Sequence, residues 1–187
     1  MKILVLRHAK TDESIVASWT PQPLLPEGVE HAQKIVNTLL KKFPELNVKK
    51  IISSDLTRCA QTAQIMANEI NVPLVFDESF RGFNIGNRAG VFHYQFLLEH
   101  PVLYYKEMGL HDSCDGGETP YIFFHRVAKA FQELIKNPLP DGDLILVTHR
   151  SVLDVLYSVV NRVKWKDRFL HYELEYLMVD ANPKKTE

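Results

Sequence analysis

The sequence predicts an α/β fold, a three-layer αβα sandwich on a mostly parallel sheet. Two observations carry that prediction: short apolar runs alternate with amphipathic helical stretches, and Arg or His stands where three of those runs end. Lys2 to Leu6 reads as a buried strand, and the loop after it contains Pro21 and Pro23. The stretch "PEGVEHAQKIVNTLLKKF" then puts Val29, Ala32, Ile35, Val36, Leu39 and Leu40 on one helical face. "KKIISS" gives a second strand, and Asp55 is placed to cap a helix from Leu56 to about Ile70 with Ala60, Ala63, Ile65 and Ala67 inward. "VPLVF" reads as a third strand.

Between Asp77 and Glu118 the periodicity fades into glycines and aromatics, with one short helix expected around Phe92 to Glu99. Long irregular excursions in compact domains usually cover a site, so 77–118 is expected to wall the substrate. Thr119 followed by Pro120 opens a helix to about Lys136. "PLPDGD" is a turn and "LILVTH" a fourth strand. A further helix begins at Ser151, with Asp154 at capping-box spacing, and "ELEYLMVD" reads as an edge strand. The absence of repeats and linkers argues for one domain over residues 1–187.

Composition narrows the function. Hydrophobic residues make up 45% and charged residues 24% of the 187, with a formal net charge of -1. Such a chain has no global attraction for nucleic acid or a membrane surface, so any anion site must be a local cluster. "ILVL" is too short for a signal-peptide core, and no run approaches a membrane span. Cys59 and Cys114 lack C-x-x-C spacing and are too few for a disulfide framework, which makes the cytoplasm the expected compartment.

Three segments end alike: "LVLRHAKT", "SSDLTRCAQTA" and "LVTHRS". Ligands of parallel α/β sheets bind beyond the carboxyl ends of the strands. Arg7, His8, Arg58 and His149 should therefore converge on one crevice beside helix N-termini, a strong site for a phosphate or carboxylate. A histidine wedged among arginines is disfavoured as a cation, which leaves its imidazole free as a nucleophile. The remaining histidines, His31, His93, His100, His111, His125 and His171, show no metal-ligand spacing and read as surface or core residues. Neither a metal nor a cofactor is expected.

Taken together, Arg7-His8, "PLLPEG", "HAQ", Ser54, Arg58, Gln61-Thr62-Ala63, the "GGET" at Gly116 to Thr119, and His149 resemble the histidine phosphatase superfamily, the phosphoglycerate mutase-like fold, over nearly the whole chain. The resemblance implies a phosphohydrolase in which His8 takes the phosphoryl group as a phosphohistidine, with Arg7, Arg58, His149 and Ser14 holding its oxygens. Its substrate would be a phosphorylated small molecule or a phosphoprotein. Two alternatives stay open: a phosphohistidine-protein phosphatase of the small acid-lacking type, and a non-catalytic phosphate-binding module.

The chain also departs from the family pattern. Ala9 replaces the glycine after the nucleophile, which would be strained at positive φ. Arg150 follows the second histidine. Gly82, in "FRGFNIGNRAG", stands where relatives carry the glutamate that protonates the leaving group. Glu78 is the first substitute expected for that acid, ahead of Asp77, Asp12 and Glu13, while Arg81 and Arg88 could meet a second anion of the substrate.

Overall fold

A computed structural model describes residues 1–94, 108–113, 116–164 and 176–181. Five strands, β1 (Lys2–Arg7), β2 (Val48–Ser53), β3 (Leu74–Phe76), β4 (Asp143–Thr148) and β5 (Tyr176–Asp180), form one sheet in the order β3-β2-β4-β1-β5. All neighbours are parallel except β5, which runs antiparallel to β1 along the edge.

The two-residue period of a strand sorts the core into two layers. Ile3 and Val5 of β1, with Leu144 and Leu146 of β4, face the helices α3 (Pro120–Lys136) and α4 (Arg150–Asn161), where Phe123, Val127, Phe131, Val152, Leu153 and Leu156 are buried. Leu4, Leu6, Ile145 and Val147 point the other way, onto Val36 and Leu39 of α1 (Pro26–Lys42) and Ala63, Met66 and Ala67 of α2 (Thr57–Ile70). Each fully buried aliphatic or Phe side chain contributes roughly 1.5–3 kcal/mol relative to exposure. These layers therefore set where the strands must end.

Several local expectations change in the structure. Val29 and Leu40 are exposed, because the buried stripe of α1 runs through Gly28, Ala32, Val36 and Leu39. Asp55 does not cap α2: the cap position is Leu56, without a side-chain bond, and the Asp55 carboxylate is bound by Arg81. Ser151 does not hold the N-cap position of the next helix either. His149 holds the N-cap position of α4, and the Ser151 hydroxyl accepts the Phe83 N–H at 3.2 Å. Thr119 does cap α3, accepting from the Ile122 N–H at 3.1 Å. Most of the helix expected around Phe92 to Glu99, the segment 173–175, and Cys114, His100 and His171 lie outside the described residues.

Candidate active site

The crevice forms where β1, β2 and β4 end side by side. The ladder continues one step past the strands, with the His8 N–H on the Thr148 carbonyl at 2.8 Å and the Ser54 N–H on the Val147 carbonyl at 3.0 Å. This places His8, Ser54 and His149 together, and Arg58 reaches them from the first turn of α2. The "QTA" of α2 secures the nucleophile loop: Thr62 accepts the Ala9 N–H at 3.0 Å and Gln61 accepts the Leu24 N–H at 2.8 Å. Gly28 allows α1 to close on the same loop, since a Cβ there would lie 2.1 Å from the Lys10 carbonyl oxygen. Ala9 is buried and is not among the described residues with positive φ, so it carries no left-handed strain.

Hydrogen bonding assigns the tautomers of both histidines. His8 Nδ1 lies 2.8 Å from the Ala9 carbonyl oxygen, which can only accept, so Nδ1 carries the proton. The lone pair is then on Nε2, which accepts from Arg58 Nε at 3.3 Å. His149 Nδ1 faces Arg58 Nη2 at 3.2 Å, and a guanidinium only donates, so its proton is on Nε2, 3.0 Å from Ser54 Oγ. The two rings stand edge to face, 5.4 Å between centroids.

Electrostatics keeps both rings neutral. Burial first, then Arg58 and Arg7, lower the His8 pKa to about 3 against the opposing bond to Ala9. Burial, Arg58 and the other nearby cations hold His149 well below the usual imidazole range. Arg58 is itself 3% exposed and is fixed by the Ser18 carbonyl at 2.7 Å and the Thr20 carbonyl at 3.4 Å. Ser18 adopts φ 43, a conformation that non-glycine residues rarely take, and its hydroxyl bridges the Phe83 carbonyl and the Ile85 N–H. Cys59, its thiol pushed up to about 12 by burial, packs its sulfur 3.3 Å from His149 Nε2 as a neutral neighbour.

The cleft over these groups encloses about 520 Å³ and is lined by Arg7, His8, Arg58 and His149 together with Asp12, Glu13, Gly82, Phe83, His93 and Arg150. A second, more apolar cleft of about 460 Å³ along α1 joins it at Arg7, His8 and Glu13. The N-terminus of α4 opens beside His149, so its first backbone N–H groups favour an anion there.

Four of the six expected site residues thus meet, and two do not. Glu78 opens a short 3-10 turn capped by Asp77, which turns its carboxylate outward to 76% exposure, 3.6 Å from Arg81 Nη1 and outside the cleft lining. Ser14 is also outside that lining, because its N–H and hydroxyl both bind the Asp12 carboxylate. Arg81 forks onto Asp55 and stacks on Trp19, 4.8 Å from the ring centroid.

Other contributors were not legible in the sequence. The carbonyls of Ser18 and Thr20 act through the backbone, which no residue type advertises. His93, expected at the surface or in the core, lines the cleft. Arg126, on the buried face of α3, donates to the Ser79 and Arg81 carbonyls at 2.9 and 3.1 Å and to Glu118 at 2.7 Å. That clamp holds Gly82 against His149, where a Cβ would sit 3.1 Å from the ring. A charged residue at an apolar helix position, together with Glu118 in "GGET", was its one signal.

A neutral imidazole with its lone pair held on Nε2, set in a cationic cradle at the carboxyl end of a parallel sheet, defines a phosphatase-class enzyme. The model of the histidine phosphatase superfamily (branch 1) matches residues 3–179, and the chain belongs to that superfamily. It is 27% identical over 179 residues to the probable phosphoglycerate mutase GpmB of Escherichia coli O139:H28, covering 91% of this chain and 80% of that protein. Among solved structures, the mycobacterial glucosyl-3-phosphoglycerate phosphatase superimposes with a TM-score of 0.74 at 24% identity, over 89% of this chain and 83% of that one. Bacillus stearothermophilus YhfR superimposes with a TM-score of 0.80 at 19% identity, over 96% and 90%.

Proposed function

We propose that the protein hydrolyses small phosphate monoesters through a phosphohistidine on His8. The observation that carries this reading is the tautomer of His8. With Nδ1–H tied to the Ala9 carbonyl, the lone pair is on Nε2, beside Arg58, in a ring that lines the cleft. Arg7, Arg58 and the N-terminus of α4 spread stabilisation over the equatorial oxygens of the transferring group, where charge builds up in a loose transition state. His149 adds its ring to the same cradle and helps to orient Arg58.

A cleft of about 520 Å³ is the size of a small-molecule site, which favours a soluble monoester over a phosphoprotein. A nucleophile position occupied by a neutral histidine with its lone pair on Nε2 favours catalysis over simple anion binding. The names of the relatives, a phosphoglycerate mutase and a glucosyl-3-phosphoglycerate phosphatase, support phosphorylated metabolites as the class to screen.

Trapping tests the reading. Reaction with 4-nitrophenyl phosphate, stopped in alkali and mapped by peptide, should place an acid-labile phosphate on His8, and His8→Ala should carry none. Label on a serine, cysteine or aspartate, or full turnover by His8→Ala, would refute it.

A further inference from the structure

Transfer of the phosphoryl group to His8 leaves an oxygen that needs a proton, and Gly82 has no side chain to supply one. Among the described residues lining the cleft, Asp12, Glu13 and His93 are the acid–base groups besides His8 and His149. The Asp12 carboxylate accepts the Ser14 hydroxyl at 2.7 Å and the Ser14 N–H at 2.9 Å, bonds that favour its charged form and leave it a poor acid. The Glu13 side chain is 70% exposed with an oxygen 3.7 Å from Arg7 Nη2. His93 is the remaining group, and imidazole is the side chain suited to give and take a proton near neutrality.

Its position is built rather than incidental. The chain after the nucleophile and the returning edge of the excursion pair through the backbone: Gly90 N–H to the Val16 carbonyl at 2.8 Å, Val16 N–H to the Val91 carbonyl at 2.9 Å, and His93 N–H to the Ser14 carbonyl at 2.7 Å, with a bridge between Ile15 and Phe92. This zipper fixes half-buried His93 in the wall of the cleft that contains His8.

Building on the phosphohistidine reading above, we propose that His93 is the general acid and base of the reaction, in the place of the glutamate that Gly82 lacks. In the first step His8 Nε2 bonds to phosphorus and the P–O bond to the leaving group breaks. The electron pair goes to that oxygen, and protonated His93 delivers its proton there, releasing an alcohol or phenol. In the second step neutral His93 takes a proton from water as the water oxygen bonds to phosphorus. The P–N bond then breaks, its electron pair returns to Nε2, and inorganic phosphate leaves with His93 protonated again.

The test is a series of para-substituted phenyl phosphates, alike in shape but different in leaving-group basicity, with the rate of His8 phosphorylation measured in single turnover. A donor flattens the dependence on basicity, and a general acid typically contributes about 10²–10⁴-fold where the leaving group is poor. Wild type should show a shallow slope. His93→Gln should lose most on 4-methoxyphenyl phosphate and least on 4-nitrophenyl phosphate, with the ratio of the two rates changing at least ~10-fold. Thermal unfolding of the variant checks that it folds. A steep slope already in wild type, an equal loss across the series, or no loss at all overturns the proposal while His8 labelling stands. Failure of His8 to become labelled with any member of the series overturns the phosphohistidine reading itself.

Discussion

On one side of the cleft, Arg58 is 3% and His149 4% exposed, fixed by hydrogen bonds to one another, to His8 and Ser54 at strand ends and to the Ser18 carbonyl. On the other side, Glu13 is exposed and His93 half-buried, held mainly by a short backbone zipper. The first wall is preorganised by the sheet, so its dipoles need no rearrangement when charge develops. The second wall rests on a loop that can vary without disturbing the core. A transferable phosphoryl chemistry and a changeable specificity can thus share one cleft, and the difference between the walls can be tested.

The largest effect is expected at the rigid wall. Arg58→Ala removes a cradle cation and leaves the Ser18 and Thr20 carbonyls without their donor. Turnover of 4-nitrophenyl phosphate should fall about 10²–10³-fold, and stability by about 1–3 kcal/mol in urea unfolding. A loss of stability without a loss of turnover would reduce Arg58 to a structural role and erase the contrast.

A smaller effect is expected where the walls are joined. Arg126→Met removes the clamp on the Ser79 and Arg81 carbonyls and leaves the partly buried Glu118 carboxylate short of its cation. Stability should drop by about 1–2 kcal/mol, since the partly buried Glu118 carboxylate and the two carbonyls lose their donor. Protection against thermal unfolding by inorganic phosphate should survive, because the cradle is untouched. Loss of that protection would mean that the excursion, not the sheet, organises the anion site.

The most gradual effect is a slope. His8 is held at about 3 in the folded protein, far below the ordinary imidazole value of 6.5, and His149 is lowered as well. The unfolded chain therefore binds more protons than the folded one between those limits. Stability should be full above pH 6.5 and fall progressively as pH drops towards 3. His8→Asn should flatten part of that fall in pH-dependent chemical unfolding, whereas His93→Gln, on the other wall, should leave the contribution of His8 and His149 in place.

Legibility followed the same division. The strands, the four helices among the described residues and the convergence of Arg7, His8, Arg58 and His149 were readable because each rests on a short-range pattern: period two for β1 and β4, period 3.6 for α1 and α3, and a polar residue where an apolar run stops. Glu78 and Ser14 were misplaced because a sequence does not say which way a turn aims a side chain. One faces Arg81 and the other Asp12, and both choices are set by bonds over two or three residues in loops without periodicity.

The sequence by itself determined the class of sheet, the strand ends that hold the chemistry and the type of residue at the nucleophile position. Only the tertiary structure decided the tautomers of His8 and His149, the carbonyls that fix Arg58, and the entry of His93 into the cleft. Apart from the local bond of His8 to Ala9, those depend on contacts between distant segments, such as Arg58 with Ser18 and with His149, which exist only once the sheet has brought its strands into register.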